Sequence, residues 1–285
     1  MPPTRLFILT VLALIAFASN SLLCRLALKQ GSIDAASFTF VRIFSGAVVL
    51  WLILRMRTGG HRPPLQGNWP SALALFVYAA AFSFAYITLS AATGALLLFG
   101  AVQATMILWG FRKGESLHLR QLVGLTVALA GLVALLLPGL SAPPLIGAIL
   151  MLGAGVAWGI YSLRGRGTRD AISATTGNFL RAVPFAVILS LALIPRMRAD
   201  AVGTACAILS GAIASGVGYV IWYTALPSLK AASAATVQLA VPVLTAAGGI
   251  LLLGEPLTMR FLLASLAVLG GIALVVTARR RPQTE

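Results

Sequence analysis

Residues 18–42 read ASNSLLCRLALKQGSIDAASFTFVR, and residues 157–181 read AWGIYSLRGRGTRDAISATTGNFLR. At an offset of 139, Ala18 falls on Ala157, Arg25 on Arg164, Ile33 on Ile172, Ala35 on Ala174, Phe40 on Phe179 and Arg42 on Arg181. The arginines weigh most, because matches between apolar letters mean little in so apolar a chain. At an offset of 140, Gly114-Glu115 falls on Gly254-Glu255, Ala91-Ala92 on Ala231-Ala232, and Gly131 on Gly271. A period this long marks duplicated bundles and not a solenoid. Residues 1–138 form the first unit and 139–285 the second.

Each unit is a set of membrane spans. The chain is 59% hydrophobic and 9% charged, with mean hydropathy +0.98, against roughly 25% charged residues in soluble domains. A helix needs about 20 mostly apolar residues to cross the roughly 30 Å hydrocarbon layer. Ten stretches qualify: Arg5 to Leu28, Asp34 to Met56, Trp69 to Leu89, Ala92 to Phe111, His118 to Leu137, Pro143 to Leu163, Ile172 to Ile194, Val202 to Ala225, Ala231 to Leu253 and Thr258 to Ala278. Gly59-Gly60, Pro63-Pro64, Pro138-Gly139, Pro143-Pro144, Pro195, Pro227 and Pro256 interrupt helix between them. The expected fold class is therefore all-α and membrane-embedded.

The net charge of +15 does not point to nucleic acid, because the cations lie in loops and not on one soluble face. Fourteen of the Lys and Arg residues fall on the side shared by both termini and five on the other, so the positive-inside rule places both termini in the cytoplasm. Five spans per half then insert the halves upside down relative to each other, the inverted-repeat plan of secondary transporters. Arg5, the apolar run after it and Ala16-Phe17-Ala18 imitate a signal peptide. Cleavage there would leave the sixth span without a repeat partner, so the segment is read as a span. Cys24 and Cys206 lie within spans as small packing residues, with no disulfide or metal pattern.

An arginine in the second span of each half (Arg42, Arg181) and a Gly-Glu after the fourth (Gly114-Glu115, Gly254-Glu255-Pro256) resemble the EamA type of the drug/metabolite transporter superfamily. The resemblance covers essentially the whole chain. Gly254-Glu255-Pro256-Leu257 before a Gly-rich last span is its most specific part, while the first copy has Ser116 in place of the proline. The resemblance implies an inner-membrane, multi-pass carrier of small metabolites such as amino acids, drugs or purines. The aromatic content of the central spans resembles the YddG-type amino acid exporters.

Enzyme chemistry is poorly supplied. His61 and His118 sit in or beside loops, and no span carries paired carboxylates. No catalytic residue, cofactor or metal site is expected. The six acids, Asp34, Glu115, Asp170, Asp200, Glu255 and Glu285, lie at span ends, in loops or in the tail. Without a carboxylate or histidine near the midplane to carry a proton, facilitated diffusion is favoured over proton antiport, unless Glu115 or Glu255 reaches inward.

A substrate site belongs near the midplane between the halves, lined by polar and aromatic residues. The candidates are Asn20, Tyr78, Phe82, Phe99, Gln103, Trp158, Tyr161, Tyr219 and Gln238. Aromatic residues in membranes also form interfacial belts, and Tyr161, Trp222 and Tyr223 lie at belt depth. Arg42 and Arg181 are the only cations well inside spans; each is either a gate or substrate contact, or a hub that caps helix ends. Pro242 in the ninth span is read as freeing a backbone carbonyl and kinking the helix, as hinge or as fixed bend. The partners are the lipid bilayer and a small solute. An ammonium rests on Trp158 or Tyr78, and Gln103, Asn20 or Gln238 holds a carboxylate, so zwitterions and organic cations fit. An amino acid exporter leads; a multidrug or organic-cation exporter and a non-transporting scaffold are the alternatives.

Overall fold

Asp34, Asn68, Ser90, Asp170 and Asp200 each stand just before an apolar run, and in the computed structural model each caps the helix that follows it. Their side-chain oxygens accept from N–H groups in the first turn, which have no partner within the helix itself. The structure describes residues 1–59, 65–113, 119–137, 139, 142–165, 168–229 and 237–277. Among them run α1 (Pro3–Lys29), α2 (Ala35–Arg57), α3 (Trp69–Tyr86), α4 (Ala91–Arg112), α5 (Leu119–Leu136), α6 (Leu145–Gly165), α7 (Ala171–Ala192), α8 (Ala201–Ser228), α9 (Ala240–Leu253) and α10 (Met259–Thr277). The first eight are long and apolar enough to cross a membrane, and α9 and α10 are shorter apolar helices. Phe7, Leu12, Ile15, Leu122, Val133, Leu263 and Leu266 stand exposed on outer faces, which suits lipid and would be an aggregation liability in water.

Two spans depart from regular α-helix. The eighth span is not a uniform α-helix: Leu209–Val217 is π-helical, between α-helical Ala201–Ile208 and Gly218–Ala225. Val237 and Gln238 are helical, Leu239 is a turn residue with helical dihedrals (φ −65°, ψ −16°), and α9 begins at Ala240, so Pro242 stands just past a one-residue interruption of the helix. The N–H that proline lacks would have bonded the Gln238 carbonyl. Residues 231–236 of the expected span lie outside the described residues, as do His61, Arg62, Glu115, His118, Arg166, Lys230, Arg279 and Glu285.

Packing joins helices far apart in the chain. α2 lies on α7 and on the π-helical stretch, α3 and α4 lie on α6, α1 lies on α8 and α9, α4 lies on α9, and α5 lies on α10. Gly124 of α5 and Gly271 of α10 meet back to back, so that a Cβ on either would overlap the carbonyl oxygen of the other. Small residues allow such close helix approach where lipid supplies no hydrophobic drive for association.

One face is sewn by loops. Ile33 and Ala199 form an antiparallel bridge, Asp34 donates its N–H to the Arg198 carbonyl at 2.8 Å, and Asp200 donates to the Ser32 carbonyl at 2.8 Å. Partial burial alone would raise the Asp34 carboxyl, but amide donors from Arg198, Ser37 and Ala36 outweigh it and hold the pKa below its ordinary value. The Gly203 N–H lowers the Asp200 carboxyl in the same way. A carboxylate with a depressed folded pKa gives its full stabilisation above its unfolded value of about 3.9 and loses it as the pH falls through the folded value. Acidifying the solubilised protein below about pH 4 is expected to lower its thermal midpoint more steeply than in Asp34→Asn, whose amide oxygen keeps an acceptor without a charge. Equal acid limbs in the two proteins would refute this role.

Candidate functional site

The aromatic residues of α3, α6 and α8 converge on Trp158. Its ring lies 4.7 Å from that of Tyr78, 5.3 Å from Tyr219 and 5.3 Å from Tyr161. Trp158 reaches this position because α6 approaches α4 closely through glycines: a Cβ at Gly155 would stand 2.6 Å from Ala101 Cβ, and one at Gly159 2.8 Å from Thr105 Cβ. Beside the cluster is a cavity of about 470 Å³, within the range of small-molecule sites.

Asn20 of α1, Tyr78 and Phe82 of α3, Phe99 and Gln103 of α4, Trp158 of α6, Tyr219 of α8 and Gln238 ahead of α9 all line it. Tyr161 does not. It stacks on Trp158 from behind, at an interplanar angle of 28°, and faces a separate cavity of about 70 Å³ shared with Asn68, Ser71, Arg164 and Asn178. Trp222 and Tyr223, at belt depth by sequence, line the main cavity, and Trp222 packs on Ala13 and Phe17. Phe17, Ser21 and Ser215 line it as well. Tyr219 and Trp222, three residues apart on one helix face, share one wall of it. Ser215 carried no signal in the sequence, because the π-helical stretch changes which residues share a face.

A polar chain runs along one wall. Tyr78 Oη accepts from Arg42 Nη2 at 2.9 Å and from Asn20 Nδ2 at 3.3 Å, and Ser210 Oγ donates to Asn20 Oδ1 at 2.6 Å. The Arg42 guanidinium lies 5.1 Å from the Tyr78 ring centroid and 4.9 Å from that of Phe82, and the residue is 2% exposed. Its repeat counterpart differs. Arg181 Nη1 donates to the Gln66 and Gly177 carbonyls, tying the segment before α3 to α7. Arg181 thus braces a loop, whereas Arg42 lies behind the cavity wall at Tyr78. Pro242 is buried in the first turn of α9 and is not among the lining residues.

The ends of the cavity differ. Met106, Ile107 and Gly110 of α4, Ser162 and Gly165 of α6, and Leu226 extend it toward the face that holds the N-terminus of α1. The opposite end is clasped. Arg25 Nε donates to Glu255 Oε1 at 2.9 Å, and Arg25 Nη1 donates to the Tyr86 and Ile87 carbonyls at the end of α3. Glu255 Oε2 accepts from the Ala91 N–H at the start of α4 at 2.7 Å. Gly254, at φ +60°, ends α9 in the left-handed conformation and turns the chain into Glu255, a conformation that favours glycine. The Gly-Glu pair therefore serves helix termination and ion pairing, and Glu255 does not reach into the cavity. Among the described residues, no cluster of three or more His, Cys, Asp or Glu side chains is placed to hold a metal.

The sequence profile of the EamA-like transporter family matches residues 145–277. An uncharacterized protein of Pseudomonas aeruginosa is 58% identical over 281 residues, covering 98% of this chain and 97% of that protein. The chain belongs to the EamA-like transporter family. A probable amino-acid metabolite efflux pump of Escherichia coli is 27% identical, over 77% of this chain and 80% of the pump. An uncharacterized transporter of Bacillus subtilis is 23% identical, over 97% and 93%. A solved crystal structure aligns with 94% of the chain and 99% of its own at TM-score 0.65 and 18% identity, a likeness of fold alone. EamA membership and the apolar helices make this a multi-pass membrane protein from a family of transporters and not of enzymes.

Proposed function

We propose that this EamA-family protein exports amino acids and related small metabolites across the bacterial inner membrane, by alternating access about the Trp158 cavity and without proton coupling. The observation that carries the reading is the cavity itself, walled by aromatic rings and amide side chains and reaching toward one face while the other is clasped. The distant E. coli relative, named as an amino-acid metabolite efflux pump, supports the substrate class.

The halves are residues 1–138 and 139–285, inserted as inverted repeats with both termini in the cytoplasm. Helix pairing supports this arrangement. α2 on α7, α4 on α9 and α5 on α10 each join a helix to its counterpart, and α3 on α6 exchanges with α8 on α1, as a two-fold relation requires. With the positive-inside orientation, the cavity then opens to the cytoplasm and the Arg25–Glu255 pair closes the outer side.

All the acids in the described chain sit at helix ends: Asp34, Asp170 and Asp200 as caps and Glu255 in its ion pair. None lines the cavity, which supports transport down the substrate's own gradient. In proteoliposomes, uptake of neutral and aromatic amino acids is expected to saturate and to be indifferent to an imposed pH gradient. Trp158→Ala removes an aromatic wall of the cavity and is expected to lower uptake about tenfold or more at unchanged yield, given about 2 kcal/mol for a desolvated cation–π contact to the substrate ammonium. Strong gradient dependence counts against uncoupled transport, and unchanged uptake in Trp158→Ala removes this cavity as the path.

A further inference from the structure

The cavity wall carries hydrogen-bond donors without acceptors among the described residues, and one of them, Tyr78, is bonded to a buried positive charge. Arg42 Nη1 and Gln103 Nε2 are buried and have no hydrogen-bond partner among the described residues, and the Ser215 hydroxyl, also buried, is likewise unpaired. Gln103 and Ser215 line the cavity. Tyr78 Oη accepts two bonds, from Arg42 and Asn20, and no described residue accepts its own proton. A phenol has one donor and two acceptor positions, so the position left open to the cavity is the donor.

Among the described residues Arg42 has no counter-charge. Asp34 and Asp200 cap helices at the clasped end, Asp170 pairs with Arg57, and Glu255 pairs with Arg25. A guanidinium buried in a bundle without a carboxylate is costly, and the Tyr78 and Phe82 ring faces compensate it only in part. Its charge polarises the Tyr78 hydroxyl and strengthens it as a donor.

From this we infer that the cavity holds a carboxylate, accepted from Tyr78, Gln103 and Ser215 and charge-balanced by Arg42 behind them. The substrate's anionic group supplies the missing counter-ion, so the carried solute is a zwitterion or a monoanion and not a plain amine. This deepens the export reading and rests on the cavity as the transport path. Arg42 acts as a positioning residue, through Tyr78, and Tyr78 makes the contact.

The test compares L-phenylalanine with phenethylamine, which has the same ring and ammonium but no carboxylate. Initial uptake rates in proteoliposomes are expected to favour phenylalanine about tenfold or more, as a charge-assisted hydrogen bond implies. Arg42→Gln and Tyr78→Phe should bring that ratio toward one, with Arg42→Lys keeping part of it. Tyr78→Phe loses a single oxygen, which keeps the test valid if Arg42→Gln does not fold. Equal uptake of both compounds by the wild type, or variants that slow both alike and leave the ratio unchanged, overturns the carboxylate site while leaving transport intact. Were the wild type to carry neither, the export reading fails. Quenching of tryptophan fluorescence then decides the site: Arg42-dependent binding of phenylalanine over phenethylamine upholds it, and no such preference overturns it.

Discussion

Leucine in place of Gly211 is expected to leave no monodisperse folded protein on size-exclusion chromatography. Gly211 lies in the π-helical stretch of α8, pressed on α2, and a Cβ there would overlap the Arg42 carbonyl oxygen and Ser45 Oγ. The obstacle is backbone, which has no rotamer to yield, so α2 and α8 must separate along the whole contact. Overpacking costs about 1 to 3 kcal/mol where neighbours give way, and more where they cannot. Gly211→Ala should therefore fold with a markedly lower thermal midpoint. Gly153 of α6 is the internal control, since a Cβ there meets nothing within 4 Å. Gly153→Ala is expected to hold or raise the midpoint, by up to about 1 kcal/mol of helix propensity. Similar behaviour of the two alanine variants would mean that the α2–α8 contact is not tight in the working protein.

Glu255→Gln is expected to cost about 3 kcal/mol, because it leaves Arg25 without its charge partner where the two side chains are 12% and 6% exposed. The glutamine oxygen still accepts from Ala91, and Arg25 keeps the carbonyls of Tyr86 and Ile87, so the loss isolates the charge interaction. Fewer ties then hold α1, α3, α4 and α9 together at the clasped end. A lower thermal midpoint and easier alkylation of a cysteine placed at Ala91 are the measurements. Unchanged values in both would show that the pair contributes nothing to closing that end.

How much was legible in the sequence follows from what each residue senses. The spans were readable because crossing lipid demands unbroken apolar length, and apart from the start of the ninth the observed ends fall within a few residues of those expected. The cavity wall was largely readable, since polar and aromatic residues at mid-span have few other roles: Asn20, Tyr78, Phe82, Phe99, Gln103, Trp158, Tyr219 and Gln238 all face it. Tyr161 lies apart from that cavity because it shares its helix with Trp158 but lines the smaller cavity on the other side of the stack. Trp222 and Tyr223 failed because depth alone assigned them to the belt, whereas the long α8 folds them inward. The unlike fates of Arg42 and Arg181 were hidden as well, because matching positions in the sequence do not have matching neighbours: Tyr78 waits for one, and the Gln66 carbonyl for the other.

The π-helical stretch ties chain length to recognition. Its hydrogen bonds reach five residues instead of four, and so Ser210, bonded to Asn20, and Ser215, on the cavity, belong to the same wall. Removing one residue between 209 and 217 would let ordinary α-helix form there, and Ser210 and Ser215 would no longer keep the spacing that the wider winding gives them. A single gap here would thus reshape one wall of the cavity while every aromatic residue that lines it stays the same.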